Sequence, residues 1–160
     1  MIIILSVNLI AVGKLKEAWM RQGLAEYSKR LEAFCRFTIT EIDEYKLPEN
    51  PSPAMIEKGL AEEARAILTK AKGEIIALCI EGEQLSSPQL AAELAKLAQK
   101  TGAVSFVIGG SFGLAPQVKE AAILRLSVSE MTFPHQLFRV MLTEQIYRAF
   151  SIQNGGKYHK

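Results

Sequence analysis

The chain has 160 residues, 49% of them apolar and 22% charged, with a formal charge of +2. That length suits one domain, residues 1–160, with a real hydrophobic core, and the composition is ordinary for a soluble globular chain. Two cysteines, Cys35 and Cys79, without CxxC or Cys/His ligand spacing, set aside a disulfide framework and a structural zinc; they fit a reducing, cytoplasmic setting.

The charge is too small to announce a nucleic-acid binder, but it is unevenly spread. Residues 101–160 carry six Lys/Arg against three acids, whereas the first hundred carry thirteen against fourteen. A basic C-terminal part suits a phosphate-bearing partner, although ordinary surface variation accounts for it equally well.

Met1 to Val12 is apolar but lacks a basic n-region and a small-residue cleavage site, and it is too short to span a bilayer. Its second part, Asn8 to Val12, reads as a buried strand, with Met1 to Val7 either a strand extension or a misassigned start. Lys16 to Leu31 is an amphipathic helix, with Trp19, Met20, Gly23, Leu24, Tyr27 and Leu31 at helical spacing. Cys35 to Ile42 alternates as a strand, and the prolines of Leu47 to Pro53 make a loop. Ala54 to Lys72 is a helix ended by Gly73; Glu74 to Ile80 is a continuous apolar strand of the doubly covered kind. Ser87 reads as the cap of a helix Pro88 to Thr101. A strand at Val104 to Ile108, a short helix at Pro116 to Leu124, a short strand at Leu126 to Ser129 and a long helix from Gln136 to Phe150 complete the order. This alternation means an α/β sandwich around a mostly parallel sheet with helices on both faces.

Gly109-Gly110-Ser111-Phe112-Gly113 follows a buried strand and precedes a helix, the place where open α/β sheets bind ligands. It is neither GxGxxG nor a P-loop, and a tight connection without a ligand would look the same. Ser129 to Pro134 is a second strand-end loop, in which Met131 and Phe133 could floor a flat ring or simply staple the next helix. That helix is apolar on more than one side. Leu137, Val140, Met141 and Phe150 form one face, with Phe138, Leu142 and Ile146 away from it, so one side should meet a second subunit. The two histidines, His135 and His159, are structural by default. No Ser-His-Asp set, carboxylate pair or HExxH is legible, which leaves hydrolase chemistry unsupported. The tail Lys157-Tyr158-His159-Lys160 suits an RNA loop, and equally a solubilising end.

Several of these stretches, in order, resemble one family. They are Val12-Gly-Lys-Leu-Lys-Glu, Leu78-Cys-Ile-Glu-Gly, Phe106-Val-Ile-Gly-Gly-Ser-x-Gly-Leu, Leu126-Ser-x-Ser-x-Met-Thr-Phe-Pro-His-Gln-Leu, Glu144-Gln-x-Tyr-Arg-Ala-Phe and Tyr158-His-Lys. The chain from about Asn8 to Lys160 is similar to the ribosomal RNA large-subunit methyltransferase H family, small bacterial members of the SPOUT superfamily. Met1 to Val7 extends beyond the usual family start. The resemblance implies a C-terminal trefoil knot, a homodimer packed through the last helix, and S-adenosylmethionine as methyl donor to N3 of a pseudouridine in 23S ribosomal RNA within the ribosome. No metal is required. The implied cofactor residues are Leu78, Gly110, Ser129, Glu130, Met131, Thr132, Phe133 and Pro134. His159 or His135 is the candidate proton acceptor. Arg139, Arg148, Lys157 and Lys160 are candidate phosphate contacts, and Tyr158 a stacking ring. A non-catalytic ribosome- or RNA-binding module of the same fold is the alternative, and cofactor binding discriminates the two.

Overall fold

The computed structural model describes residues 4–160. Five strands form one parallel sheet: β1 (Ser6–Val12), β2 (Arg36–Ile42), β3 (Glu74–Gln84), β4 (Ala103–Ile108) and β5 (Leu124–Ser127), in the order β2-β1-β4-β3-β5. The central strands β1 and β4 are the most continuously apolar because helices cover both of their faces. Successive residues go to opposite layers. Leu9, Phe106 and Ile76 face a core shared with α1 (Ala18–Leu31), α3 (Ser87–Lys100) and α5 (His135–Gln153). Ile10, Val107 and Ala77 face the layer containing α2 (Pro53–Lys70) and α4 (Pro116–Ala121). Each of the larger of these side chains stabilises the fold by about 1.5–3 kcal/mol through burial, before the entropy of ordering is set against it.

The expected alternation holds, with shifted boundaries. β1 begins at Ser6, so part of the N-terminal extension is strand; Met1 to Ile3 lie outside the described residues. Ser86, not Ser87, caps α3: its Oγ accepts from Gln89 N at 3.2 Å while Gln89 Oε1 accepts from Ser86 N at 2.8 Å. Ser87 instead donates to Gln145 Oε1 at 2.7 Å, tying α3 to α5. Helix α4 stops at Ala121 because the next residues join the sheet, Ile123 N donating to Ile75 O at 2.9 Å. β5 therefore lies two residues earlier than the sequence suggests.

The largest departure in the sheet is β3, which runs on to Gln84. Its pairing with β5 slips between Leu78 and Glu83, and a Cβ on Gly82 would lie 2.7 Å from the Arg125 carbonyl. The missing side chain lets the strands cross closely, and Cys79 to Glu81 swing out as a rim at the sheet's C-terminal end. Helix α5 also corrects the expected faces. Phe150 is buried with Leu142 and Ile146, stacked on Phe34, while Leu137, Val140 and Met141 stay half-exposed. Nine residues at about 100° each place Phe150 roughly half a revolution from Met141.

Candidate functional site

A cavity of about 460 Å³ opens at the C-terminal ends of β3, β4 and β5. The end of β3 supplies Leu78 and Cys79, the glycine turn supplies Gly109 to Leu114, and the strap after β5 supplies Ser129, Met131, Thr132 and Phe133. His135 and Phe138, in the first turn of α5, close it. Of the implied cofactor residues, Leu78, Gly110, Ser129, Met131, Thr132 and Phe133 line this cavity; Glu130 and Pro134 do not.

The glycine turn requires glycine at two positions, for different reasons. A Cβ on Gly109 would come within 2.3 Å of the Gly113 carbonyl oxygen, and Gly113 itself has φ +80°. Gly113 N donates to Gly110 O at 3.1 Å, closing the turn. A Cβ on Gly110 would meet Val12 Cγ1 at 3.1 Å and Glu44 Oε1 at 3.2 Å. The carboxylate of Glu44, from the β2–α2 loop, accepts from Ser111 Oγ at 3.0 Å and holds the tip of the turn. Backbone is thereby presented to the cavity at close range.

The strap is held lightly. Ser127 Oγ donates to the Ser129 carbonyl at 3.2 Å, and Ser129 Oγ accepts from Met131 N at 3.0 Å. Apolar groups stay exposed around the opening: Met131 is 72% exposed, Ile80 59% and Phe112 50%. Helix α5 starts behind Pro134 with no side-chain cap and no acidic residue in its first turn. Its free N–H groups and positive dipole end lie next to the cavity through His135.

Sequence reasoning missed Cys79, Glu81, Val128 and Phe138. The Leu78-Cys-Ile-Glu-Gly stretch held the signal for the first two, since a glycine at the end of a buried run marks a close strand crossing. Glu81 pairs with Lys119 of α4, and that partner holds its carboxyl below the usual range. Burial pushes the Cys79 thiol up. Phe138 gave no signal beyond its apolar character.

Arg139 is corrected: it is not a phosphate contact. Its side chain is 1% exposed, donating to Glu41 Oε2 at 2.8 Å and to the Gly13 carbonyl at 3.2 Å. Glu41 Oε2 also accepts from Leu15 N at 3.0 Å, and Gln136 Oε1 accepts from Lys16 N at 3.2 Å. Together these bonds pin the β1–α1 loop to the start of α5. Burial lowers the Arg139 pKa, Glu41 opposes that, and Nε has no hydrogen-bond partner.

The tail folds back on α5. Tyr158 and His159 are half-buried against the helix, while Lys157 and Lys160 are exposed. Arg148 is bonded to Glu144 at 2.6 Å, so the cation is shared between helix and tail. His135 and His159 therefore occupy different places, one on the cavity wall and one beside Arg148. Among the described residues no group of three or more His, Cys, Asp or Glu could hold a metal, and no helix is long and apolar enough to cross a membrane.

Residues 5–159 match a family model described as "Predicted SPOUT methyltransferase". The chain is 46% identical over 159 residues to the ribosomal RNA large subunit methyltransferase H of Ligilactobacillus salivarius, covering 98% of this chain and 100% of that one. It is also 46% identical, with the same coverage, to the protein of that name from Streptococcus thermophilus. A solved structure of a probable methylase family protein from Haemophilus influenzae shares the fold. It aligns with a TM-score of 0.51 at 13% identity, covering 98% of this chain and 70% of that one. Five parallel strands with a glycine turn and a strap at their carboxyl ends, and a family match over nearly the full length, lead to one assignment: the chain belongs to the SPOUT methyltransferase family.

Proposed function

We propose that the protein is an S-adenosylmethionine-dependent methyltransferase acting on N3 of a pseudouridine in 23S ribosomal RNA. The observation carrying this reading is the cavity where three strand-end segments converge on a bare glycine turn. Its residues fit the cofactor. A volume of about 460 Å³ is within the range of small-molecule sites. Leu78, Leu126 and Phe138 offer apolar walls for a purine ring, the glycine turn offers backbone groups, and the uncapped α5 N-terminus suits a carboxylate. No acidic ribose clamp is needed where backbone does the holding. The names of the two relatives, large-subunit rRNA methyltransferases of nearly the same length, support the substrate class.

The cofactor, when bound, supplies a methyl group already activated by its sulfonium. What the chain has to do is align that group with the acceptor nitrogen, exclude water and take up a proton. The N3–H proton must leave as the new N–C bond forms, so a nearby base assists. His135 stands on the cavity wall. His159 has its Nδ1 engaged by Arg148, which makes His135 the better-placed acceptor. Arg148, Lys157 and Lys160 remain the phosphate contacts of this reading, with Tyr158 as a stacking ring.

A domain of this size offers little surface to grip an RNA loop alone, so the assembled ribosomal particle in the cytoplasm is the substrate. A homodimer with a composite site belongs to the same reading. Its support is the half-exposed Leu137-Val140-Met141 face of α5, beside a second cavity of about 300 Å³ that shares Val128 and Phe138 with the first. The implied trefoil knot belongs to the same reading.

Calorimetric titration with S-adenosylmethionine tests the reading, using the native protein and Gly110→Trp. Binding that vanishes in the variant, followed by methyl transfer to ribosomal particles mapped to a pseudouridine N3, is the expected result. A native protein that binds no cofactor would be the non-catalytic RNA-binding module instead.

A further inference from the structure

We infer that Glu144 is the positioning residue of the C-terminal tail, one carboxylate that sets Tyr158, Arg148 and, through Arg148, His159. The inference rests on the reading that the tail works on RNA.

Glu144 lies on α5 one turn before Arg148, with its side chain 16% exposed. Its Oε1 receives three donors: Arg148 Nη2 at 2.6 Å, Arg148 Nε at 3.0 Å and the Tyr158 hydroxyl at 2.9 Å. Its Oε2 receives Gln145 Nε2 at 2.9 Å, and Gln145 Oε1 in turn accepts from Ser87 Oγ of α3. The carboxylate is thus fixed from two helices before the tail arrives.

The tail returns because α5 ends in Asn154 and Gly155, the latter at φ +68°, with Gly156 N donating to the Ser151 carbonyl at 2.8 Å. Tyr158 then lies edge-on to Tyr147, ring centres 4.8 Å apart, with the Arg148 guanidinium 4.7 Å from its ring centre. Its single hydroxyl proton goes to Glu144, so the Tyr27 hydroxyl, 3.4 Å away, is the donor toward Tyr158. Burial, with help from Tyr27 and Glu144, pushes the Tyr158 phenol up, so it stays a donor at neutral pH.

Arg148 has one more N–H pair to spend, and Nη1 lies 3.1 Å from His159 Nδ1. A guanidinium only donates, so Nδ1 is the accepting nitrogen and the neutral ring carries its hydrogen on Nε2. Held this way, His159 offers an N–H outward, suited to a phosphate or carbonyl oxygen. Glu144 touches no reacting atom; it decides where three tail groups stand.

The experiment uses the full chain with Glu144→Gln and Tyr158→Phe, the second removing the tail hydroxyl that donates to Glu144 and accepts from Tyr27. Cofactor affinity is measured by calorimetry, tail exposure by the rate of carboxypeptidase release of Lys160, His159 and Tyr158, and turnover on purified large ribosomal particles. Glu144→Gln should release the tail several times faster, leave cofactor affinity unchanged, and lower kcat/KM on particles by about 10- to 100-fold through misplacement. Tyr158→Phe should give a smaller change in the same directions, and Glu144→Asp should restore part of the loss.

Unchanged tail release in both variants overturns the inference. So does a released tail with turnover equal to the native protein, or cofactor affinity falling in parallel with turnover. A native protein inactive on particles overturns the proposed function instead, and the release rates still decide whether Glu144 positions the tail.

Discussion

The two ends of α5 follow opposite rules. At its start, around the cavity, apolar side chains stand in solvent, the helix is uncapped and the strap is held by two serine bonds. At its far end the donors and acceptors of Glu144, Arg148, Tyr158 and His159 are already matched to one another. The first region leaves interactions unmade for a ligand to complete. The second is organised beforehand, so that order need not be created when a partner arrives. The Arg139–Glu41 pair joins the two by fixing how α5 leaves the strap.

The strongest way to break the open region is Gly109→Ala. With its Cβ 2.3 Å from the Gly113 carbonyl, the turn must distort. Strain of about 3 kcal/mol corresponds to about 100-fold in cofactor Kd, which calorimetry measures. Next comes Arg139→Ala, which empties a buried site and leaves Glu41, itself 41% exposed, to water and Leu15 N. Denaturant unfolding should show a loss of about 2 kcal/mol, with cofactor affinity much less affected than by Gly109→Ala.

Cys35 tests the closed core by pH. Burial pushes its thiol up to about 12, whereas an unfolded thiol ionises near about 8.5. Above that pH the unfolded chain sheds the proton while the folded one keeps it, so stability falls as pH rises toward 12. The slope difference between the native protein and Cys35→Ala should approach about 1.4 kcal/mol per pH unit. The smallest effect belongs to the exposed tail cations. Lys157→Ala and Lys160→Ala should each weaken particle binding modestly and reduce the salt dependence by about one counterion.

The alternation of strands and helices was legible because buried parallel strands are apolar runs and the covering helices carry one apolar stripe. The glycine turn was legible because three glycines cluster where a buried strand ends and a helix follows. Arg139 was misread because a charged residue in an amphipathic pattern reads as exposed, and only the fold reveals that Glu41, far away in sequence, meets it. The rim at Cys79 and Glu81 was hidden because its position depends on how β3 slips against β5, a property of two strands together. Phe150 was a failure of phase, not of chemistry: the helical repeat already contained the answer. Tyr158 and His159 were recognisable as tail groups, but their link to Glu144, in the middle of α5, appears only once the tail is seen to fold back on the helix.

The placement of α5 also has a consequence for how the chain comes into being. Leu142, Ile146, Ala149 and Phe150 seal the layer that α1 and α3 begin, yet they are made after both. Strand β1 likewise waits for its central partner β4, far along the chain. Until α5 is made, Leu9, Phe106 and Ile76 lack part of their cover, and the nascent chain presents a partly open hydrophobic face. Folding should therefore be slow and governed by distant contacts, with chaperone binding concentrated on chains that stop short of Leu142.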